Sequence, residues 1–206
     1  MLLSKLQLTI EQLTRGFGDI PSERKDLLMR LTAFIQQKSR LGQSCYLNFI
    51  CTHNSRRSHM AQLWGQAAAY YYQIPNVICF SGGTEATGFN VRAVEAMKDV
   101  GFDIIKRKES DNPVYDVTFA DDARSITSFS KRYDDPFNHT KDFAAVMTCS
   151  HADQNCPLVL GAEARIAITY EDPKDFDGTE QETAKYKERS IEIGQEILFA
   201  FSQVRL

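Results

Sequence analysis

Apolar side chains recur along this chain with two different periods. Over the first 44 residues the period is helical. Leu6, Ile10 and Leu13 form one set, and Leu27, Leu28, Leu31, Phe34 and Ile35 a stronger one, at the three- and four-residue spacing of a buried helix face. Gly16, Gly18 and Pro21 interrupt the run; Ser22 is placed to cap the second helix and Gly42 to stop it. The pattern predicts a helical hairpin over 1–44. It serves either as an arm packed on the rest of the chain or as a surface for a partner or second copy, because amphipathicity alone names no partner.

From residue 45 short apolar runs alternate with amphipathic stretches. Strands are predicted at 46–50, 77–80, 143–147 and 165–168. Helices are predicted after residue 56 (Met60, Ala61, Trp64, Ala67), over 90–100 (Val94 and Met97 inward, Gly101 closing), and over 180–204 (Tyr186, Ile191, Ile197, Leu198). Strands alternating with helices imply a parallel sheet covered on both faces. The stretch 106–141 breaks the rhythm. Residues 114–119 and 125–129 read as two strands around an Asp-rich turn, and 133–137 as a surface loop. The expectation is an α/β main domain over 45–206 carrying an inserted hairpin and loop, which is either decoration or a lid.

Composition narrows the function classes. The 206 residues are 43% hydrophobic and 25% charged, with a net charge of −3, the balance of a soluble globular chain. That charge argues against a nucleic-acid coat or membrane-surface protein. No apolar run approaches the ~20 residues of a membrane span. Lys5 and Glu11 fall where a signal peptide would be unbroken, so the expected compartment is the cytoplasm. The five cysteines, Cys45, Cys51, Cys79, Cys149 and Cys156, are then expected as thiols. Their odd number and the lack of a C-x-x-C pair argue against a disulfide scaffold or structural zinc; no metal is expected. Cys45 and Cys79, within strands, read as buried and inert.

The informative segment is CTHNSRRS, residues 51–58. Cys51 ends an apolar strand and Arg57 opens a helix. A loop of this length can turn the backbone N–H groups of Thr52, His53, Asn54, Ser55, Arg56, Arg57 and Ser58 towards one centre, to which the helix N-terminus adds partial positive charge. Arg57 can clamp a tetrahedral oxyanion through two parallel hydrogen bonds. The same field favours an ionised, nucleophilic sulfur at Cys51. Ser58 can donate its hydroxyl to that sulfur, and Asn54 can tie the loop through its side-chain amide. Arg56 adds charge beside the loop or is a plain surface residue.

CTHNSRRS in this setting resembles the phosphate-binding loop of the low-molecular-weight tyrosine phosphatase fold, and more narrowly that of the thioredoxin-coupled arsenate reductases built on it. Phe80-Ser-Gly-Gly-Thr84, Gly88 to Val94, Met97 to Ile104 and the stretch from Val146 to Pro173 resemble the same family. The likeness spans roughly 45–105 and 143–203, leaving the N-terminal arm and the insertion outside. It implies a three-layer α/β sandwich around a four-stranded parallel sheet.

For Cys149-Ser-His-Ala-Asp-Gln-Asn-Cys156-Pro157 the resemblance implies a thiol relay. Cys51 attacks arsenate, Cys149 attacks Cys51 and releases arsenite, Cys156 moves the disulfide to the Cys149–Cys156 pair, and thioredoxin reduces it; no cofactor is bound. The polar segment between these cysteines reads as a mobile loop, with His151 solvated. Glu171-Asp172-Pro173 resembles the Asp-Pro that faces the nucleophile, with Asp172 as general acid. Asp135-Pro136 competes, but it sits inside the insertion. Lys174 and Asp175 replace the aromatic wall of phosphotyrosine-specific members, and Gln62 stands where some reductases place an acid beside a potassium ion. The leading expectation is therefore arsenate reduction. The alternative is phosphate monoester hydrolysis through a phosphocysteine at Cys51, and a third reading is a non-catalytic oxyanion-sensing module.

Overall fold

The computed structural model describes residues 1–155 and 158–205; Cys156 and its expected role lie outside the described residues. Strands β1 (Cys45–Cys51), β2 (Val77–Gly83), β6 (Phe143–Met147) and β7 (Ala162–Ala167) form one parallel sheet in the order β2-β1-β6-β7. The helices are α1 (Ser4–Arg15), α2 (Ser22–Arg40), α3 (Arg57–Tyr71), α4 (Val91–Asp99), α5 (Ser150–Asn155) and α6 (Glu182–Ser202). The predicted α/β class and four-stranded parallel sheet are therefore present.

Strand alternation divides the core in two. Leu47, Phe49, Ala144, Val146 and Ile166 face the larger cluster with α2, α3 and α6. Ile50, Phe143, Ala145 and Met147 face a smaller one with Cys149, Ala152 and Val159. Helix α6 is the hub against which α1, α2, α3 and α4 all pack. The N-terminal helices thus bury Leu6, Ile10, Leu28, Leu31 and Ile35 in the main core. The sequence assigned the cap of α2 to Ser22, but Pro21 occupies the cap position and Ser22 is the first helical residue, with no side-chain cap bond. Proline at that boundary needs no N–H partner. Gly42, at φ +64°, does terminate the helix: its N–H reaches Ser39 O and that of Gln43 reaches Lys38 O, a left-handed closure that suits glycine.

The insertion holds one strand more than the sequence suggested. Strand β3 (Asp103–Lys108) pairs antiparallel with β4 (Val114–Thr118), which pairs with β5 (Ile126–Ser128). Only Ile104 of β3 is buried, and Ile105 is exposed, so β3 lacks the alternation by which strands are read. After β5 the chain runs along the free edge of β2. Gly83 N–H donates to Lys131 O, Tyr133 N–H donates to Gly83 O, and Asn138 Nδ2 donates to Ser81 O. The exposed edge of the parallel sheet is thereby covered. The expected mobile loop between Cys149 and Cys156 is instead largely the six-residue helix α5, too short to show a period. Among the described residues no helix is long and apolar enough to cross a membrane.

Candidate active site

Strand β1 delivers Cys51 to the carboxyl end of the sheet, flanked by Gly83 of β2 in register. The loop that follows is shaped by where its carbonyls go. Cys51 O accepts from Thr84 N–H (3.1 Å), Thr52 O from Glu85 N–H (2.8 Å) and Ser55 O from Asn90 N–H (2.9 Å). Thr84 Oγ1 adds a second bond to Thr52 O (3.2 Å). His53 O accepts from Ser130 Oγ (2.9 Å) and Thr87 Oγ1 (3.2 Å). In a trans peptide the carbonyl and the next N–H point in opposite directions. Carbonyls drawn outward to this ring of donors therefore turn the N–H groups of Thr52, His53, Asn54 and Arg56 to the concave side, where the first turn of α3 also opens. The result is a concave set of donors, the geometry expected of an anion cradle. Asn54 holds the sharpest bend at φ +45°, a conformation asparagine tolerates better than most L-residues.

Cys51 is buried, and its sulfur lies 3.1 Å from Ser58 Oγ. Asn54 Nδ2 donates to the same Ser58 oxygen at 2.8 Å. An amide nitrogen can only donate, so the Ser58 hydroxyl keeps its own proton available for Cys51 Sγ, which as a thiolate can only accept. Arg57 opens α3 with Nη1 on Tyr170 O (2.8 Å) and Nη2 on Asp172 Oδ2 (2.5 Å). Its Nε is buried and makes no hydrogen bond among the described residues, leaving a donor with a directional demand. Asp172 also accepts from Lys174 N–H at 3.2 Å, capping the turn Pro173–Phe176. The competing Asp135 caps its own turn through Phe137 N–H.

The second thiol is close by. Cys149 is buried after β6 in the same apolar cluster as Cys51. Its sulfur accepts from Ala152 N–H at 3.3 Å and lies 3.5 Å from Thr52 Oγ1. Thr52 Oγ1 is also 3.2 Å from His151 Nδ1; His151, expected to be solvated, is exposed and lies in helix α5 beside the loop that follows Cys51. Ser55 Oγ ties the loop to Gly88 O (2.7 Å). The half-exposed His53 stands 3.6 Å from Glu85. Arg56 does not join the cradle with its side chain: Nε donates to Tyr186 Oη (2.7 Å) and Nη2 lies 3.7 Å from Asp177. Of its expected contributions, only the backbone N–H remains on the concave side.

Several supports escaped sequence reasoning. Ser130 and Lys131 come from the insertion and carry no motif. His59, directly after Ser58, is fully buried, stacks on Phe89 and lies 3.3 Å from Ser81 Oγ. Burial first, and then the nearby Lys131 charge, hold its imidazole well below the usual range. Burial pushes the Cys45 thiol up to about 12 and raises that of Cys79 well above the ordinary range, in keeping with inert core thiols. Gln62 donates to Cys79 O at 3.0 Å. Among the described residues no three His, Cys, Asp or Glu side chains converge on a metal position.

No model of a protein family matches the chain. Curated relatives do. A protein of Halalkalibacterium halodurans named arsenate reductase is 31% identical over 150 residues, 72% of this chain and 89% of its own. Arsenate reductase 2 of Staphylococcus epidermidis is 33% identical over 126 residues, covering 61% and 76%. Among solved structures, an arsenate reductase in the phosphate binding state superposes with TM-score 0.53 at 15% identity, over 78% of this chain and 99% of that one. A low-molecular-weight protein tyrosine phosphatase from T. tengcongensis gives TM-score 0.51 at 19% identity, over 78% and 100%. At such identities these two likenesses speak for the fold.

Proposed function

From the premise that this chain belongs to the arsenate reductases of the low-molecular-weight phosphatase superfamily, we propose that it reduces arsenate to arsenite by a relay of Cys51, Cys149 and Cys156. The observation that carries the reading is the second buried thiol, Cys149, lying 3.5 Å from the hydroxyl of Thr52, the residue next to the nucleophile. A phosphatase has no use for a thiol there.

The loop amides and Arg57 bind arsenate as a tetrahedral oxyanion. The Cys51 sulfur attacks arsenic(V) and forms a sulfur–arsenic bond; an arsenic–hydroxyl bond breaks, that hydroxyl takes up a proton and leaves as water, and Ser58 steadies the sulfur throughout. Cys149, as thiolate, then attacks the Cys51 sulfur. A disulfide forms, the sulfur–arsenic bond breaks, and its electron pair leaves with arsenic, now arsenite. The two electrons lost by the thiols are those gained by arsenic. Cys156 attacks Cys149 and frees the Cys51 thiolate. A dithiol reductant of the thioredoxin type finally reduces the Cys149–Cys156 disulfide. Asp172 manages protons at the oxyanion. No prosthetic group enters any step, and the reaction suits a reducing compartment.

The test is arsenate-dependent NADPH consumption with thioredoxin and thioredoxin reductase. Turnover that depends on Cys51, Cys149 and Cys156 supports the reading; consumption no faster than background removes it. The position of Asp172, on the loop that faces Arg57, supports a second activity, slow hydrolysis of aryl phosphates through phosphocysteine, with Asp172 as proton donor once an oxyanion has taken over the guanidinium. That activity would survive Cys149→Ser, whereas arsenate turnover would not.

A further inference from the structure

We infer that the insertion is the brace that aims the oxyanion loop, and that Ser130 is a positioning residue for oxyanion binding. The insertion touches the loop at two consecutive residues. Ser130 Oγ donates to His53 O at 2.9 Å, and Lys131 N–H donates to Asn54 Oδ1 at 2.9 Å. These two bonds grip both sides of the one left-handed residue in the loop. The first sets the plane of the His53–Asn54 peptide, and with it the direction of the Asn54 N–H. The second fixes the Asn54 side chain, whose other end holds Ser58 against Cys51 at 2.8 Å and 3.1 Å in turn.

Ser130 is itself fixed. It is 1% exposed. Asn112 holds its backbone from both sides, Nδ2 to Ser130 O at 2.7 Å and Ser130 N–H to Oδ1 at 3.0 Å. Its hydroxyl oxygen accepts from Thr87 N–H at 2.8 Å. With that donor in place, the Ser130 proton is committed to His53 O. Thr87 Oγ1 reaches the same carbonyl from the exposed side at 3.2 Å, where water competes. Ser130 is therefore the donor that sets the peptide.

A rigid fan of N–H groups binds an anion better than one that must be ordered on binding, because the ordering is deducted from affinity. Removing the Ser130 hydroxyl frees the His53–Asn54 peptide to rock while leaving the core contacts of the insertion in place. The effect is on oxyanion affinity and not on catalytic chemistry, and it holds whichever oxyanion the protein turns over.

The experiment is titration calorimetry with inorganic phosphate at 25 °C, alongside thermal midpoints for each variant of the full chain. Ser130→Ala is expected to weaken phosphate binding by about tenfold, the loss of one well-placed hydrogen bond. Thr87→Val, which removes the outer donor, weakens it by about threefold. Ser125→Ala removes an insertion hydrogen bond to Thr118 at 2.9 Å, remote from the loop, and leaves affinity unchanged. A merely structural role would lower midpoints in all three and affinity in none at a temperature where they stay folded. Wild-type phosphate affinity in Ser130→Ala overturns the inference, as does equal weakening in Ser125→Ala. Should Ser130→Ala fail to fold, Ser130→Cys, which puts a weaker donor in the same place, is measured instead, and wild-type affinity there overturns the inference. Phosphate binding needs neither Cys149 nor a reductant, so failure here is distinguishable from failure of arsenate turnover.

Discussion

The guanidinium of Arg57 and the carboxylate of Asp172 stand 2.5 Å apart. The cation proposed to clamp an oxyanion is thus held by an anion on the facing loop, and under that proposal an incoming anion must share or displace it. Asp172→Asn should therefore tighten inorganic phosphate binding by about three- to tenfold, since it removes a competing charge from a partly buried site. Asparagine still caps the Pro173–Phe176 turn. The same variant should slow aryl phosphate turnover by about a hundredfold or more, the usual share of a general acid. Calorimetry and initial rates read the two effects separately; weaker phosphate binding in Asp172→Asn would contradict the competition.

Cys149 presents its sulfur to the side of the Cys51-to-Ser58 loop, within reach of Thr52 Oγ1. Cys149→Ser should leave attack on arsenate intact and abolish multiple turnover with thioredoxin. Intact-protein mass spectrometry after arsenate treatment should then find no Cys51–Cys149 disulfide. Cys156→Ser should instead accumulate that disulfide. An unchanged steady-state rate in either variant would remove the relay.

Gly83 touches the loop with its backbone. A Cβ there would fall 2.6 Å from Thr52 O and 2.7 Å from Asn54 N, and closer still to Glu85 O. These are backbone atoms that cannot swing aside. Gly83→Ala should cost roughly 3 kcal/mol of stability, a fall in Tm of about 6–12 °C for a chain of this size, with loss of phosphate binding. Gly18→Ala, where nothing lies within 4 Å, should change stability by no more than about 0.5 kcal/mol. Differential scanning fluorimetry with and without phosphate checks both.

Much of the frame could be read from the chain because its signals are local. The alternation of strand and helix, the Cys51-to-Ser58 loop between β1 and α3, and the apolar stripes of α1 and α2 are each written within a dozen residues. The missed features arise from long-range contact. Strand β3 is buried at Ile104 alone, so only pairing with β4 makes it a strand. Helix α5 is shorter than two turns. Arg56 is drawn from the cradle by Tyr186, 130 residues away. Ser130 meets His53 from 77 residues away, and no local pattern encodes that meeting.

Lys131 shows the same long-range logic in its titration. Its ammonium is buried over the rings of Phe129 and Phe137, at 4.7 and 5.4 Å, and donates to Phe129 O at 3.3 Å. The groups that bear on it are Asp135 and the neutral His59. Burial, only partly offset by Asp135, lowers its pKa to about 8, against ~10.4 for a free lysine. Between these values the unfolded chain holds a proton that the folded chain has released, so this group makes stability rise with pH. Below about 8 both states are protonated and the full burial penalty remains. Cys45, Cys79 and Tyr170, whose pKa values burial raises, act in the opposite sense as pH rises, because the folded chain keeps protons the unfolded chain loses. The comparison of wild type with Lys131→Met cancels them. The backbone bonds of residue 131 to Asn54 and Gly83 survive that substitution. Lys131→Met should be the more stable at pH 7, by at most about 3 kcal/mol, and its advantage should shrink steadily from pH 8 to pH 10. Urea unfolding at each pH measures the gap; a gap that stays constant across that window would show that the lysine remains solvated and keeps its proton in the folded chain.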